Sequence, residues 1–271
     1  MEFYHQIIKQ ISEPKDQYQI EIPEGWGQGR AIFGGIIGAL LYQAMRVNVD
    51  SDRLVRALSV SFVGPVNVGP LTIEVNTLRN GGSVTQIEAK AFQNNQCQCA
   101  TIASFGKDRS SSLEIPATKA EPAPISIEDA KELPYIPNVV PEFVKQFSMR
   151  WAYGGFPFSG SKETVMGGFM QFKEQSKQLA DLTFDEAALV TLIDAWPPVQ
   201  LALLKKPAPS SSLTWTMEFI HPIKDLTAES WLHYKAKIDQ THNGYGQTHA
   251  EIWSEDGDLL AISRQTVTVF D

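Results

Sequence analysis

"GGIIGALLYQAMRV", residues 34–47, reads as a helix whose apolar residues run all round its axis, with no polar stripe. Such a helix is stable only when other elements cover every side of it. The next part of the chain supplies that cover. Four strand-like segments, "RALSVSFVGPV" (56–66), "GPLTIEVNTLRNG" (69–81), "SVTQIEAKAFQ" (83–93) and "QCQCATIASFG" (96–106), are set apart by Gly69-Pro70, Asn80-Gly81-Gly82 and Asn94-Asn95. Before the helix stand an alternating strand, "DQYQIEI" (16–22), and a glycine-rich loop, "GWGQGRAIFGG" (25–35). A buried helix followed by an antiparallel meander has one compact solution: the sheet curls around the helix.

The second half repeats this order. "FSMRWAY" (147–153) and "GGFMQFKE" (167–174) are strand material. "TFDEAALVTLIDAW" (183–196) predicts a helix with Thr183 as N-cap and Asp185 and Glu186 in its first turn, ended by Pro197-Pro198. Four more strand-like segments lie at 211–222, 229–239, 246–256 and 259–271. "FVGP" (62–65) and "FIHP" (219–222) close the first meander strand of each half, and "AKAFQNNQCQCATIAS" (89–104) aligns without a gap on "AEIWSEDGDLLAISRQ" (250–265). The expected fold is α+β: two tandem units, each an antiparallel sheet wrapped around a central helix, forming a pseudo-dimer. The expected domains are residues 1–107 and 143–271. Residues 108–142, rich in Pro, Ser, Glu and Lys, form a surface connector with a short helix around Ile127–Glu132.

Composition narrows the function classes. With a net charge of −8 and no cluster of Lys and Arg, the chain lacks the footprint of a nucleic-acid or acidic-membrane binder. The N-terminus carries no signal-peptide pattern, and the longest apolar stretch, 31–45, is too short and glycine-rich to span a bilayer, so a soluble, cytoplasmic protein is expected. Cys97 and Cys99 are expected as ordinary strand thiols, and the five histidines form no ligand spacing with them, so no metal site is read.

Several of these stretches carry a resemblance. "IFGG" opening the apolar helix, "TLRNGG" (77–82), "LIDAW" (192–196), "SSLTWTMEFIHP" (211–222) and "AISRQ" (261–265) together resemble the double-hotdog acyl-CoA thioesterases, over nearly the whole chain apart from the connector. That resemblance implies an acyl-CoA substrate, no cofactor, and a homo-oligomer. It also implies a water held by an Asp on the second helix, here Asp194, a Gln on the closing strand, here Gln265, and a hydroxyl on the strand after the helix, here Ser212. A register shift would substitute Thr214, expected on the same strand face as Ser212. Two features depart from the family: "ALSVSF" before "FVGP", and Ile36 directly after Gly34-Gly35.

The chemistry stands without the family. Asp194 is a carboxylate in an apolar run, and burying a charge costs several kcal/mol unless it finds partners. Gln265 and Ser212 each offer a donor and an acceptor. Amides at the start of a glycine-opened helix, those of Gly34 and Gly35, suit a developing oxyanion. The first helix contains no acid, and Ser104 stands where Gln265 stands in the second copy. The polar set is therefore an asymmetric addition, expected to work in one composite site facing the glycines of the first copy. Blander readings exist for each residue: a helix-end acid for Asp194, an exposed strand position for Gln265, a loop serine for Ser212, close packing for Gly34 and Gly35. His221 and His249 read as strand-surface residues; Trp151, Tyr153, Phe156 and Phe158 read as loop packing or as the lining of an acyl pocket. Competing functions are a non-catalytic acyl-CoA-binding module and an acyl-thioester hydratase or dehydratase, the latter lacking the Asp–His pair it needs.

Overall fold

The computed structural model describes residues 4–173, 184–223 and 226–271. Among them, one compact unit is drawn from the spans Met1–Pro116, Pro137–Phe143 and Phe184–Thr191, and the other from Ala117–Ile136, Val144–Thr183 and Leu192–Asp271.

In the first unit a short helix α1 (Tyr4–Lys9) precedes β1 (Gln17–Ile22). A minimal hairpin, β2 (Gly27–Gln28) and β3 (Ala31–Ile32), folds the glycine-rich loop and delivers the chain into α2 (Gly34–Arg46). From Gly35 to Met45 every α2 residue except Gln43 is buried, which is what its all-round apolar pattern requires. The covering sheet has the order β1-β5-β6-β7-β4, with β4 (Leu54–Phe62), β5 (Gly69–Asn80), β6 (Val84–Gln93) and β7 (Gln96–Gly106) all antiparallel. α2 packs on β4, β5, β6 and β7.

The second unit has the sheet order β8-β9-β10-β12-β13-β14-β11. Its strands are β8 (Lys131–Glu132), β9 (Phe147–Tyr153), β10 (Val165–Phe172), β11 (Ser210–Phe219), β12 (Leu232–His242), β13 (Tyr245–Trp253) and β14 (Leu259–Val269). The run β12-β13-β14-β11 repeats β5-β6-β7-β4 strand for strand, so the duplication read from sequence is a duplication of topology. In chain order helix α3 (Glu186–Ile193), whose residues up to Thr191 count with the first unit, comes where α2 comes in the first half, and a one-turn helix α4 (Gln200–Leu203) comes after Pro197-Pro198.

Three expectations are corrected. α3 runs over eight residues and is capped by Asp185, whose Oδ1 accepts the Ala188 N–H at 2.9 Å; Thr183 lies outside the described residues. Asp194 stands one residue beyond α3, in a turn, because Pro197-Pro198 forces the chain to leave the helical path early. The connector holds no helix at 127–132: Ser126 closes a single turn, its carbonyl accepting the Ala130 N–H at 2.9 Å, and the chain then pairs as β8. Ala123 and Ile127 pack on Ala130, Ala152 and Phe169, so part of the connector is core of the second unit. Among the described residues no helix is long and apolar enough to cross a membrane.

Candidate active site

The inner face of the second sheet is set by pairing. Ile238, Thr248, Gln265 and Trp215 lie in one row across β12, β13, β14 and β11. Trp215, fully buried, donates from Nε1 to Ser263 Oγ at 2.9 Å and forms the floor beside Gln265. Asp194, half-buried just past α3, accepts a hydrogen bond on Oδ1 from Gln265 Nε2 at 2.7 Å. A bond of that length to a carboxylate is charge-assisted and holds the carboxylate in one orientation. The structure thus brings together two of the residues named from sequence, 71 positions apart in the chain. The negative charge of Asp194 also reaches Tyr234, whose phenol is held well above its ordinary range, first by burial and then by that charge.

A bulge sets the two candidate hydroxyls on different faces of the sheet. Ser212 pairs with Val267 and Thr214 with Thr266, leaving Leu213 unpaired. One extra residue inverts the alternation of faces. Beyond the bulge Trp215, Met217 and Phe219 point inward; before it Ser212 does, opposite Val267 and diagonal to Gln265. Thr214 is exposed on the outer face, while Ser212 is half-buried. The expectation that Ser212 and Thr214 share a face is therefore wrong, and Ser212 is the one on Gln265's side.

Gly34 and Gly35 open α2 in the first unit. Their N-cap, Phe33, supplies no side-chain hydrogen bond to the helix start. Gly35 is explained by close packing: a Cβ there would stand 2.5 Å from the Phe33 ring and 2.7 Å from the Thr191 carbonyl oxygen. Gly34 is only half-buried.

Around Asp194 the aromatics are ordered by a second glycine. Gly168 pairs with both Trp151 and Tyr234, at φ +153°, where a Cβ would meet the Arg150 carbonyl. Trp196, two residues after Asp194, packs its ring 4.6 Å from Trp151 and parallel to Tyr234 at 5.5 Å. Phe156 completes the wall at 4.7 Å from Trp151. Tyr153 instead faces His233 on the opposite side of the sheet, its hydroxyl 3.1 Å from Nε2. His249 is a half-exposed partner of Asp239, at 2.7 Å. Cys97 and Cys99 are free thiols on β7, and burial pushes the Cys99 thiol up to about 12, which leaves it unreactive.

Sequence reading passed over Gln200 and Trp196. Gln200, 4 % exposed, has neither amide atom hydrogen-bonded among the described residues, and its side chain lies over Gly246. A lone amide in the apolar run "VQLALL" (199–204) directly after Pro-Pro was the available signal.

Two repeats of one sheet topology, the second carrying the Asp194–Gln265 pair, define a tandem hotdog protein. Residues 22–106 match the model of the acyl-CoA thioesterase N-terminal domain and residues 126–269 that of the acyl-CoA thioesterase C-terminal domain. The chain belongs to the acyl-CoA thioesterase family. It is 24% identical over 252 residues to acyl-CoA thioesterase 2 of Haemophilus influenzae, covering 87% of this chain and 86% of that protein. A hot dog fold protein of unknown function from Alicyclobacillus acidocaldarius superposes with a TM-score of 0.83 at 23% identity, covering 100% of this chain and 99% of that one. An acyl-CoA thioesterase II of Mycobacterium marinum gives 0.74 at 17% identity, covering 98% of each chain. At those identities the two crystal structures speak for the fold.

Proposed function

We propose that this enzyme hydrolyses an acyl-CoA thioester to a free carboxylic acid and CoA, with Asp194, Gln265 and Ser212 positioning the attacking water. The observation that carries the reading is the 2.7 Å hydrogen bond from Gln265 to Asp194. It fixes the carboxylate that takes up the proton of the water, while the Ser212 hydroxyl faces the same side of the sheet.

In the reaction the water oxygen bonds to the thioester carbonyl carbon and gives a proton to Asp194. The tetrahedral intermediate then collapses, the carbon–sulfur bond breaks with its electron pair on sulfur, and the thiolate takes up that proton. A thioester needs little more, because its carbonyl is electrophilic and a thiolate leaves readily; positioning and oxyanion stabilisation are what a protein adds.

The test is thiol release from a panel of acyl-CoA substrates of graded chain length, with Asp194→Asn as control. The expected result is release by the wild type on at least one chain length and a loss of about 100-fold or more in the variant. Wild-type rates from Asp194→Asn would overturn the assignment.

A further inference from the structure

The strongest unexplained feature of the second unit is the buried side chain of Gln200. A buried amide is met by something in nearly every native structure, because leaving one unpaired is costly. Here no protein group among the described residues meets either Oε1 or Nε2, although the residue is 4 % exposed. Its position is built rather than incidental. Gln200 opens α4, and its amide is seated over Gly246 on β13, where any Cβ would run into Nε2 and stand 2.8 Å from Cδ. The glycine at 246 has an ordinary backbone conformation, so close approach of the amide is what its missing side chain serves.

Register shows what Gly246 adjoins. Gly246, Val267 and Ser212 form the inner-face row next to the one holding Thr248, Gln265 and Trp215. Gly246 is therefore the diagonal neighbour of Gln265, at a separation of about 7–8 Å between such positions. Ser212 flanks Val267 on one side and the seat of Gln200 flanks it on the other. The side chains at these two neighbouring positions therefore share one stretch of the inner face, and a water there, with two donors and two acceptors, matches an amide with both ends open.

We infer that Gln200 is a further positioning residue of the hydrolytic site, holding the attacking water beside the Asp194–Gln265 pair. The inference rests on the hydrolytic role proposed for Asp194 and Gln265. Gln200 Oε1 accepts one water hydrogen while Asp194 receives the proton that leaves, so the oxygen lone pair is turned toward the carbonyl. No bond to Gln200 forms or breaks.

The experiment compares the full-length wild type with Gln200→Leu, Gln200→Glu and Gly246→Ala, the last displacing the amide without altering it, and with Asp194→Asn. Each is read for kcat and KM on the best acyl-CoA of the panel, for thermal midpoint, and for partition of the acyl group between water and added methanol, as acid against methyl ester. For Gln200→Leu the inference expects kcat lower by about 10- to 100-fold at near-constant KM, a thermal midpoint equal to or above wild type, and a larger methyl-ester share. Gly246→Ala moves the same way even if Gln200→Leu folds poorly, and Gln200→Glu keeps part of the rate. Wild-type kcat and partition in a folded Gln200→Leu or Gly246→Ala would overturn the inference. So would a lowered thermal midpoint with unchanged partition, the signature of a structural water only. Loss of the Asp194 reading shows separately, as undiminished thiol release from Asp194→Asn.

Discussion

Gln265 donates its side-chain N–H to Asp194 across 2.7 Å, joining the closing strand β14 to the turn that ends α3. The amide at 265 does what a second carboxylate there could not. In Gln265→Glu two acids would stand within hydrogen-bond reach, and like charges so close share one proton and titrate as a pair. Asp194 would then be a competent base only at higher pH. The expected outcome is a fall in kcat/KM of at least about 10-fold at neutral pH, with the acidic limb of the pH–rate profile displaced upward. An unshifted acidic limb in that profile would contradict the role given to the pair.

The bulge at Leu213 separates two hydroxyls that are two residues apart in sequence. Ser212→Ala should lower kcat by about 10- to 100-fold, because the hydroxyl on Gln265's side is lost. Thr214→Ala removes an exposed hydroxyl from the outer face and should leave the rate within about twofold of wild type. Steady-state thiol release from the two single variants separates them, and a larger loss from Thr214→Ala would reverse the assignment.

That pair also marks where sequence stops being legible. The duplicated order of helix and strands could be read because apolar periodicity is written along each segment and both halves carry it. Asp194 and Gln265 stood out because each breaks the pattern of its counterpart in the first half, an acid against none and Gln265 against Ser104. A bulge is different: it depends on which residues oppose each other across two strands, and no local pattern at "SSLTW" announces that Leu213 is skipped. Gln200 escaped for a related reason. Its burial is imposed by Gly246, a contact between distant segments. The helix start was misjudged by two residues because Thr, Asp and Glu in a row all favour an N-terminus, and only the bond from Ala188 N–H to Asp185 selects among them.

Gly35 packs against Thr191, and that relationship predicts a stability effect without any chemistry. A Cβ at 35 would sit 2.7 Å from a carbonyl oxygen held in α3 and 2.5 Å from the Phe33 ring, itself stacked on Phe143 at 4.0 Å. Neither neighbour can retreat without disturbing a helix or an aromatic stack. Gly35→Ala should therefore destabilise by about 1–3 kcal/mol, lowering the thermal midpoint by about 2–4 °C per kcal/mol. Calorimetry measures it; an unchanged midpoint would mean that α2 and α3 are not fixed at this distance.

His233 offers a pH-dependent test of the second unit on the face away from Asp194. Its ring lies among Tyr153, Phe169 and Trp253, at centroid separations of 5.6, 5.4 and 5.0 Å, with Nε2 on the Tyr153 hydroxyl. Burial, and after it the Lys235 ammonium, pushes the imidazole down to about 4, so the folded chain keeps it neutral. An unfolded histidine titrates near 6.5. Below that pH the unfolded chain takes up the proton first, so the stabilising contribution is complete above about 6.5 and is lost as pH falls toward 4. The amount at stake is of order 1–3 kcal/mol. Urea denaturation from pH 7.5 to 4 should show wild type losing stability more steeply than His233→Gln, which keeps a partner for Tyr153 but does not titrate. Parallel curves for the two proteins would show that the ring is not held neutral within this cluster, and that the connector residues packed against Phe169 do not seal it from water.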